Sequence, residues 1–305
     1  MKLLLIGLSA VLLERLLGEP RRWQPLAYFA WLTRQVEYRC YGPAELHPGL
    51  RSVLGGLALV TLILPVALLA WLLTLIPYLG WVVALGIVYL SLSTAPLKRQ
   101  LSAITQALQQ EDLEQARQAL KPLVTHDTET LDEEAISQAV VELVLEQSSD
   151  GLFGVLFWLL LAGAPGAVVY RLVIVLDRQW GYSSPRYRDF GWVTARLAGL
   201  LRWAPVQLVA LSYSLAGDRE TAWRCWRRQA LSWPSPTGTL LATGAGALNV
   251  QLGGPVHYFE RLIPRPALGD GVLPRHQDIV RTLKLIDRAL LIWVITLALM
   301  GWLLI

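Results

Sequence analysis

Charge is scarce in this chain: Asp, Glu, Lys and Arg make up 16% of its 305 residues, against about 25% in an ordinary soluble protein. That shortage argues against a globule wetted on all sides. Its two cysteines, Cys40 and Cys225, form no CxxC pair, so neither a disulfide framework nor a zinc site is expected. The four histidines, His47, His126, His257 and His276, are scattered without metal-ligand spacing. The Gly-rich stretch ending in Gly253-Gly254-Pro255 holds neither GxxxxGK[ST] nor GxGxxG, which excludes a Walker-type nucleotide loop there. No recognisable module accompanies the arginines, so no nucleic-acid partner is expected. A transporter finds little support, because no paired inverted repeat is visible.

Apolar residues are abundant instead, at 54%, and the mean hydropathy is positive. An uncharged stretch of about 20 residues crosses the ~30 Å hydrocarbon core of a bilayer, and Val53 to Ile76 meets that length without a charge. Trp81 to Leu97 is shorter but also uncharged, and Ile76-Pro-Tyr-Leu-Gly80 supplies a turn that makes the two a helical hairpin. Ala289 to Ile305 is a C-terminal candidate. Leu3 to Leu13 is short for a span and lacks a small-residue cleavage site after it, so it reads as a retained membrane segment rather than a signal peptide. Thirteen tryptophans, among them Trp71, Trp81, Trp293 and Trp302 in or beside apolar runs, fit interfacial anchoring.

The net charge of +4 conceals an asymmetry. Lys98 to Asp150 holds four basic and eleven acidic residues, a net −7 that leaves +11 for the remainder. Arginines before the first strong span, with Lys98 and Arg99 after the second, put both flanks on the cytoplasmic side. Within the acidic insert Leu101, Ile104 and Leu108, then Leu113, Ala116 and Leu120, recur at helical spacing and predict two short amphipathic helices. Thr130-Leu-Asp-Glu133 reads as a capping box, with Thr130 as N-cap of a third helix through Ile136, Val140 and Leu143. The expected fold is all-α and polytopic in the membrane. It comprises membrane segments over 1–97, a cytoplasmic acidic helical insert over 98–150, membrane and interfacial helices over 151–288, and a C-terminal membrane helix over 289–305.

The third helix of the insert ends on a peculiarity. Glu142, Glu146 and Asp150 stand at i, i+4 and i+8, on one helical face, where each like-charge pair costs about 0.2–0.5 kcal/mol and opposes the helix dipole. A bound cation, or a substrate carrying one, would favour that arrangement. Beyond it, the apolar run Leu152 to Leu176 is broken at Gly163-Ala-Pro-Gly166 and ends at Asp177. One straight helix of that length, ~38 Å, crosses a bilayer with tilt. A hairpin turning at the Gly-Ala-Pro-Gly break instead re-enters and returns Asp177 to the side of Asp150. The Arg- and Trp-rich stretch from Arg178 to Arg228 suits helices lying on anionic lipid, with phosphate binding as the sharper reading of its guanidinium groups.

Taken in order, these segments resemble a known family. Gly18-Glu-Pro-x-x-x-x-Pro25, His126-Asp-Thr128, Val140-Val-Glu-x-x-x-Glu146-x-x-x-Asp150-Gly151, Gly163-Ala-Pro165, Leu176-Asp-x-x-x-Gly-Tyr182, Tyr187-x-x-Phe-Gly191 and Ala195-Arg196-Leu197 are similar to the CobD/CbiB family. So are Ser235-Pro236, Ala245-Gly-Ala-Leu248, Gln251-Leu-Gly-Gly-Pro255, Tyr258, Gly269-Asp270 and Arg281-Thr282. The resemblance implies an inner-membrane protein of cobalamin biosynthesis, an adenosylcobinamide-phosphate synthase. Such a protein condenses the carboxylate of adenosylcobyric acid with an aminopropanol, usually as its phosphate, using ATP and Mg²⁺. By that resemblance Asp150, Asp177 and Glu146 are candidate catalytic residues, and Glu142, Glu146, Asp150 and Asp177 candidate metal ligands. Arg196, Arg281, Ser235 and Asp270 are candidate substrate or phosphate ligands. The implied partners are the bilayer, a corrinoid and other membrane proteins of cobamide assembly. Where the family has an Asp-Asp pair and then Asn after Ala195-Arg196-Leu197, this chain has Ala198, Gly199 and Arg202. Trp203-Ala-Pro-Val-Gln-Leu208 and Tyr213-Ser-Leu-Ala-Gly217 look more like the related AmpE family, membrane proteins linked to β-lactamase regulation, which implies a catalytically degenerate sensor or assembly partner as the other expectation.

Overall fold

A computed structural model describes residues 2–18, 25–43, 46–92, 95–124, 127–181, 186–233, 235–258 and 261–303. Most of the Gly18-Glu-Pro motif, His126 and Tyr182 lie outside the described residues, as do the side chains of His257 and Tyr258. Among the described residues the protein is helical, with only short β pairs, and its contacts gather it into two compact units. One comprises residues 1–93 and 150–203, the other residues 94–149 and 204–305.

In the first unit α1 (Lys2–Leu17), α2 (Pro25–Cys40), α3 (Pro48–Thr74) and α4 (Gly80–Ser91) precede a π-helical turn (Ser149–Phe153) that leads into α8 (Gly154–Trp180). Helix α3 opens with Pro48 at its first turn, where the missing N–H costs nothing, and with His47 Nδ1 accepting from Gly49 N at 3.2 Å. Its 27 residues are enough to cross a membrane. Ala58, Leu59, Leu62 and Ile63 are buried, while Leu57, Val60, Leu64 and Leu68 stand exposed. A contiguous exposed apolar face of this kind marks a surface meant for something other than water. The turn at 75–79 uses Tyr78 at φ 63° and joins α3 to α4, as expected. Helix α4 is shorter than the uncharged run predicted: it ends at Ser91, so its 12 residues span ~18 Å at 1.5 Å each, and Ala95 starts a new helix.

Helix α8 is bent back on itself. Ala162 (φ −130°, ψ 16°) and Gly163 (φ 69°, ψ −168°) leave the helical region, and Pro165 starts the second arm, its fixed φ suited to a helix's first turn. A straight helix would separate positions 150 and 178 by ~42 Å, yet Arg178 Nη2 lies 3.3 Å from Asp150 Oδ2. The turn is therefore where the Gly-Ala-Pro-Gly segment put it, and Asp177 returns to Asp150. Gly154 is required at the crossing, because a Cβ there would run into the ring of Tyr170 from the other arm.

In the second unit α5 (Ala95–Gln109) and α6 (Leu113–Leu120) bury Leu101, Ile104, Leu108, Ala116 and Leu120, the stripe predicted for them. Helix α7 (Glu133–Ser148) is capped by Asp132, whose Oδ1 accepts from Ala135 N at 2.8 Å. The cap expected at Thr130 thus falls two residues later, on the carboxylate of the same segment. The π-helical turn that follows breaks the 3.6-residue repeat on which a continuous acidic face through Asp150 depends. Helix α9 (Trp192–Ala216) starts in the first unit and ends in the second, followed by α10 (Arg219–Gln229) and α11 (Thr237–Leu248).

Helix α11 is buried from Gly238 to Leu248. Its small residues admit close neighbours: a Cβ at Gly244 would lie 2.6 Å from Leu145 Cδ1, and one at Gly246 2.7 Å from Ala222 Cα. Asn249, left-handed at φ 56°, ends it. The chain then forms two short antiparallel pairs, β1 (Leu252–Gly253) with β4 (Ala267–Leu268) and β2 (Val256–Tyr258) with β3 (Arg261–Ile263). Helix α12 (His276–Leu303) is continuous, so the apolar C-terminal stretch is the second half of a longer helix.

Candidate functional site

Two polar assemblies are built from residues singled out in the sequence. In the first unit Arg202 spends all three guanidinium nitrogens on carboxylates. Its Nε donates to Asp150 Oδ1 at 3.0 Å, its Nη2 to Asp150 Oδ2 at 3.1 Å and its Nη1 to Asp177 Oδ2 at 2.6 Å. Arg178 adds a contact at 3.3 Å and the Tyr170 hydroxyl one at 3.4 Å, both to Asp150. Asp150 is buried and Arg202 nearly so. Two guanidinium groups thus contact the carboxylates directly, and buried Arg171 adds a third positive charge acting on Asp150. The cation that the acidic positions called for is, for Asp150 and Asp177, an arginine of the same chain.

This arrangement does not fit a divalent metal ion. Mg²⁺ demands near-octahedral oxygen ligation at ~2.1 Å, and both oxygens of Asp150 already accept from arginine. Among the described residues no group of three or more His, Cys, Asp or Glu side chains is gathered to hold a metal ion. What the cluster does is structural: it ties the π-helical turn, the end of α8 and the middle of α9 together.

The second assembly surrounds a cavity of about 260 Å³ in the second unit. Its walls bring together residues 127–131, one face of α7 through Gln138 and Glu142, the loop 251–256, and Arg265. These are three of the sequence motifs plus one residue the sequence reading missed. Gly253 and Gly254 take φ of 75° and 84°, a conformation L-residues rarely adopt. A Cβ at Gly253 would collide with Pro266 O, whereas at Gly254 it would meet open space. The turn aims Gly253 N at Glu142 Oε1, 2.6 Å away, and Gln138 Nε2 donates to the same oxygen at 3.2 Å.

Arg265 completes this site. Its Nη2 lies 3.4 Å from Glu142 Oε2, its Nε donates to Gly254 O at 3.1 Å, and its guanidinium stacks 5.2 Å from the centre of the Trp233 ring. The signal that could have found it is local: Ile263-Pro-Arg-Pro266 sets an arginine between two prolines, whose fixed φ restricts the backbone on either side of it. Gln138 carried no such signal, since its role depends on the distant Gly253.

The remaining candidates are dispersed. Glu146 is half-buried on α7. Arg196 is exposed, with its guanidinium 5.6 Å from the Trp192 ring one helical turn away. Arg281 donates to Leu248 O at 2.8 Å and pairs with Asp278, serving the C-terminal end of α11. Ser235 Oγ is 3.1 Å from Thr237 Oγ1 at the start of that helix. Asp270 accepts from Gln229 Nε2 at 2.7 Å and faces Arg224 at 3.5 Å. Both cysteines are free thiols, and burial pushes the Cys225 thiol up, towards the neutral form.

The fold and site together define an all-α protein with an apolar hairpin, an internally paired carboxylate cluster and a charged cavity beneath a double-glycine turn. A family model described as CobD/CbiB protein matches residues 7–286, and the chain belongs to that family. It is 44% identical over 287 residues to the cobalamin biosynthesis protein CobD of Chromobacterium violaceum, covering 93% of this chain and 92% of that one. Its identity to the protein of the same name from Stutzerimonas stutzeri is 43% over 304 residues, 99% of each. For that from Mycobacterium tuberculosis it is 33% over 286 residues, 91% of this chain and 89% of the relative. No solved structure matches.

Proposed function

We propose that this chain acts in cobalamin biosynthesis by forming an amide between a corrinoid carboxylate and a small amino alcohol or its phosphate. Family membership supports the pathway. The observation that carries the step is the cavity in which three separated motifs meet around Glu142, Gly253 and Arg265. An amide-forming site must hold an amine beside an activated carboxyl group and keep water away from the acyl centre. A half-enclosed cavity lined by the carboxylates of Asp127 and Glu142, the guanidinium of Arg265 and turned-out backbone suits the first task. In this reading ATP transfers its γ-phosphoryl group to the corrinoid carboxylate and leaves as ADP, and the amine then displaces inorganic phosphate from the acyl phosphate, losing a proton as the amide forms. The described carboxylates do not form a metal site.

The exposed apolar face of α3 and its length, enough to cross a membrane, support a bilayer setting, in the reading an inner membrane with residues 98–150 on the cytoplasmic side. Each arm of the α8 hairpin is shorter than a ~30 Å hydrocarbon core, which favours entry and return from one side. Corrinoid and other membrane proteins of cobamide assembly are the partners this implies.

The test is nutritional and then chemical. A deletion strain should grow on cobinamide and fail on cobyric acid, and purified protein with ATP, cobyric acid and aminopropanol or its phosphate should yield the amide. Rescue of the deletion by cobyric acid refutes the assignment. A second reading, a non-catalytic assembly partner, is favoured by the saturation of Asp150 and Asp177 with arginines. Turnover by the purified chain refutes that one.

A further inference from the structure

We infer that the cavity beneath the Gly253-Gly254 turn is the seat of the small amine, with Glu142 meeting its ammonium group and Arg265 its phosphate end. The inference rests on the amide-forming reading and says which of the two substrates this cavity takes, and by which residues.

Size excludes the larger partner. Pockets that enclose a drug-sized molecule run about 300–1,000 Å³, and the cavity has about 260 Å³. A corrin ring does not enter it, but an amino alcohol phosphate does.

Charge then sets the orientation. Glu142 Oε1 is pinned by Gly253 N and Gln138 Nε2, so the carboxylate keeps its position while Oε2 faces Arg265. Arg265 is fixed independently of Glu142, by Gly254 O and the Trp233 ring. The two opposite charges approach no closer than 3.4 Å, longer than the ~2.7–2.9 Å of a strong ionic hydrogen bond. With Asp127 as a second carboxylate in the lining, its Oδ1 accepting from Glu129 N at 3.0 Å, the anchored and loosely paired Glu142 and Arg265 form a receptor for a molecule with a cation at one end and an anion at the other. A zwitterion parts them without leaving either charge uncompensated. Gly254, with open space where a Cβ would stand, lets such a ligand approach the backbone between them.

The experiment measures binding of 1-aminopropan-2-ol and of its phosphate ester to the purified full-length protein by calorimetry, with and without cobyric acid, for wild type, Glu142→Gln and Arg265→Met. Glutamine retains the acceptor for Gly253 N, and methionine retains the apolar stem against Trp233; unchanged tryptophan emission checks folding. Removing a charged hydrogen-bond partner weakens binding about tenfold or more. Glu142→Gln should therefore weaken both ligands about tenfold, and Arg265→Met should weaken the phosphate ester about tenfold while leaving the free amino alcohol within about twofold. Wild-type protein that binds neither ligand, or variants that bind both as wild type does, overturns the inference. Equal loss of both ligands in Arg265→Met overturns the orientation. Amide formation with an unchanged amine KM in both variants refutes this seat and leaves the proposed reaction standing. Saturable, variant-sensitive binding without amide formation does the reverse.

Discussion

Replacing Arg202 by methionine removes the guanidinium that joins Asp150 to Asp177 and leaves a side chain of similar reach. Three short donor contacts are lost, two of them a fork on one carboxylate. The side chains of Asp150, Asp177 and Arg202 are 9%, 16% and 15% exposed, so water replaces little of what is taken away. Removing one partner of a buried ion pair costs about 3–5 kcal/mol, mostly because the other charge is stranded. Arg178 still faces Asp150 at 3.3 Å, which favours the lower end, about 3 kcal/mol. At ~2–4 °C per kcal/mol for a domain of this size, the melting temperature in detergent should fall by roughly 6–12 °C. Arg202→Lys keeps the charge but loses the fork, and should fall between. If Arg202 is the counter-ion of both carboxylates, Mg²⁺ without nucleotide and EDTA should leave the wild-type melting curve unchanged. A loss below about 2 °C in Arg202→Met, or a clear rise of the wild-type curve on adding Mg²⁺, refutes this account of the cluster.

Gly154→Ala forces a methyl group into the Tyr170 ring and should destabilise by about 1–3 kcal/mol as an overpacked contact, read as a lowered melting temperature. Gly163→Ala puts a Cβ on a residue at φ 69°, ψ −168°, a conformation essentially confined to glycine, and should cost about 1–3 kcal/mol in the same assay. Asp218 caps α10 through Thr221 N at 3.1 Å. Its hydrogen bond from Asn249, then that from Thr221, lowers its pKa. The folded carboxyl thus binds its proton less readily than the unfolded one, so the cap's contribution is present above the unfolded pKa of about 3.9 and is lost as pH falls through the lower folded value. Asp218→Ala should therefore cost about 1 kcal/mol at neutral pH, and the difference from wild type should vanish in strong acid. A cysteine at position 178, with Cys40 and Cys225 changed to serine, should resist an impermeant thiol reagent in intact cells; labelling there refutes re-entry of the α8 hairpin.

Local features were the legible part of the fold. The Leu101–Leu108 and Leu113–Leu120 stripes, the α3 run and the Gly163-Ala-Pro-Gly166 break each depend on residues a few positions apart, and each appears where periodicity or backbone chemistry puts it. Boundaries were less legible, because they turn on single residues in competition. Asp132 caps α7 rather than Thr130, as a carboxylate complements the helix N-terminus better than a hydroxyl. The Trp81–Leu97 run carries its own stop signal, Ser91-Leu-Ser-Thr-Ala-Pro96, because hydroxyl residues and a proline favour a helix boundary, and a count of charges alone passes over it.

The site divided along the same line, and charge shows why. The sequence displays Glu142, Glu146 and Asp150 as an unstable row that wants a cation, because repulsion between near neighbours is a local quantity. Which cation answers it is not local. Arg202 comes from 52 residues beyond Asp150, and Arg265 comes from 123 residues beyond Glu142. An arginine reaching over such a distance is indistinguishable in sequence from one lying on lipid or on a phosphate, the two readings open for Arg202. The difference matters for mechanism, because an arginine fork closes both oxygens of Asp150 whereas a metal ion would leave positions open for substrate. Glu142 differs from Asp150 in this respect: its arginine is loose at 3.4 Å and borders a cavity. Of the two carboxylates it is the one a substrate can engage without first dismantling the fold.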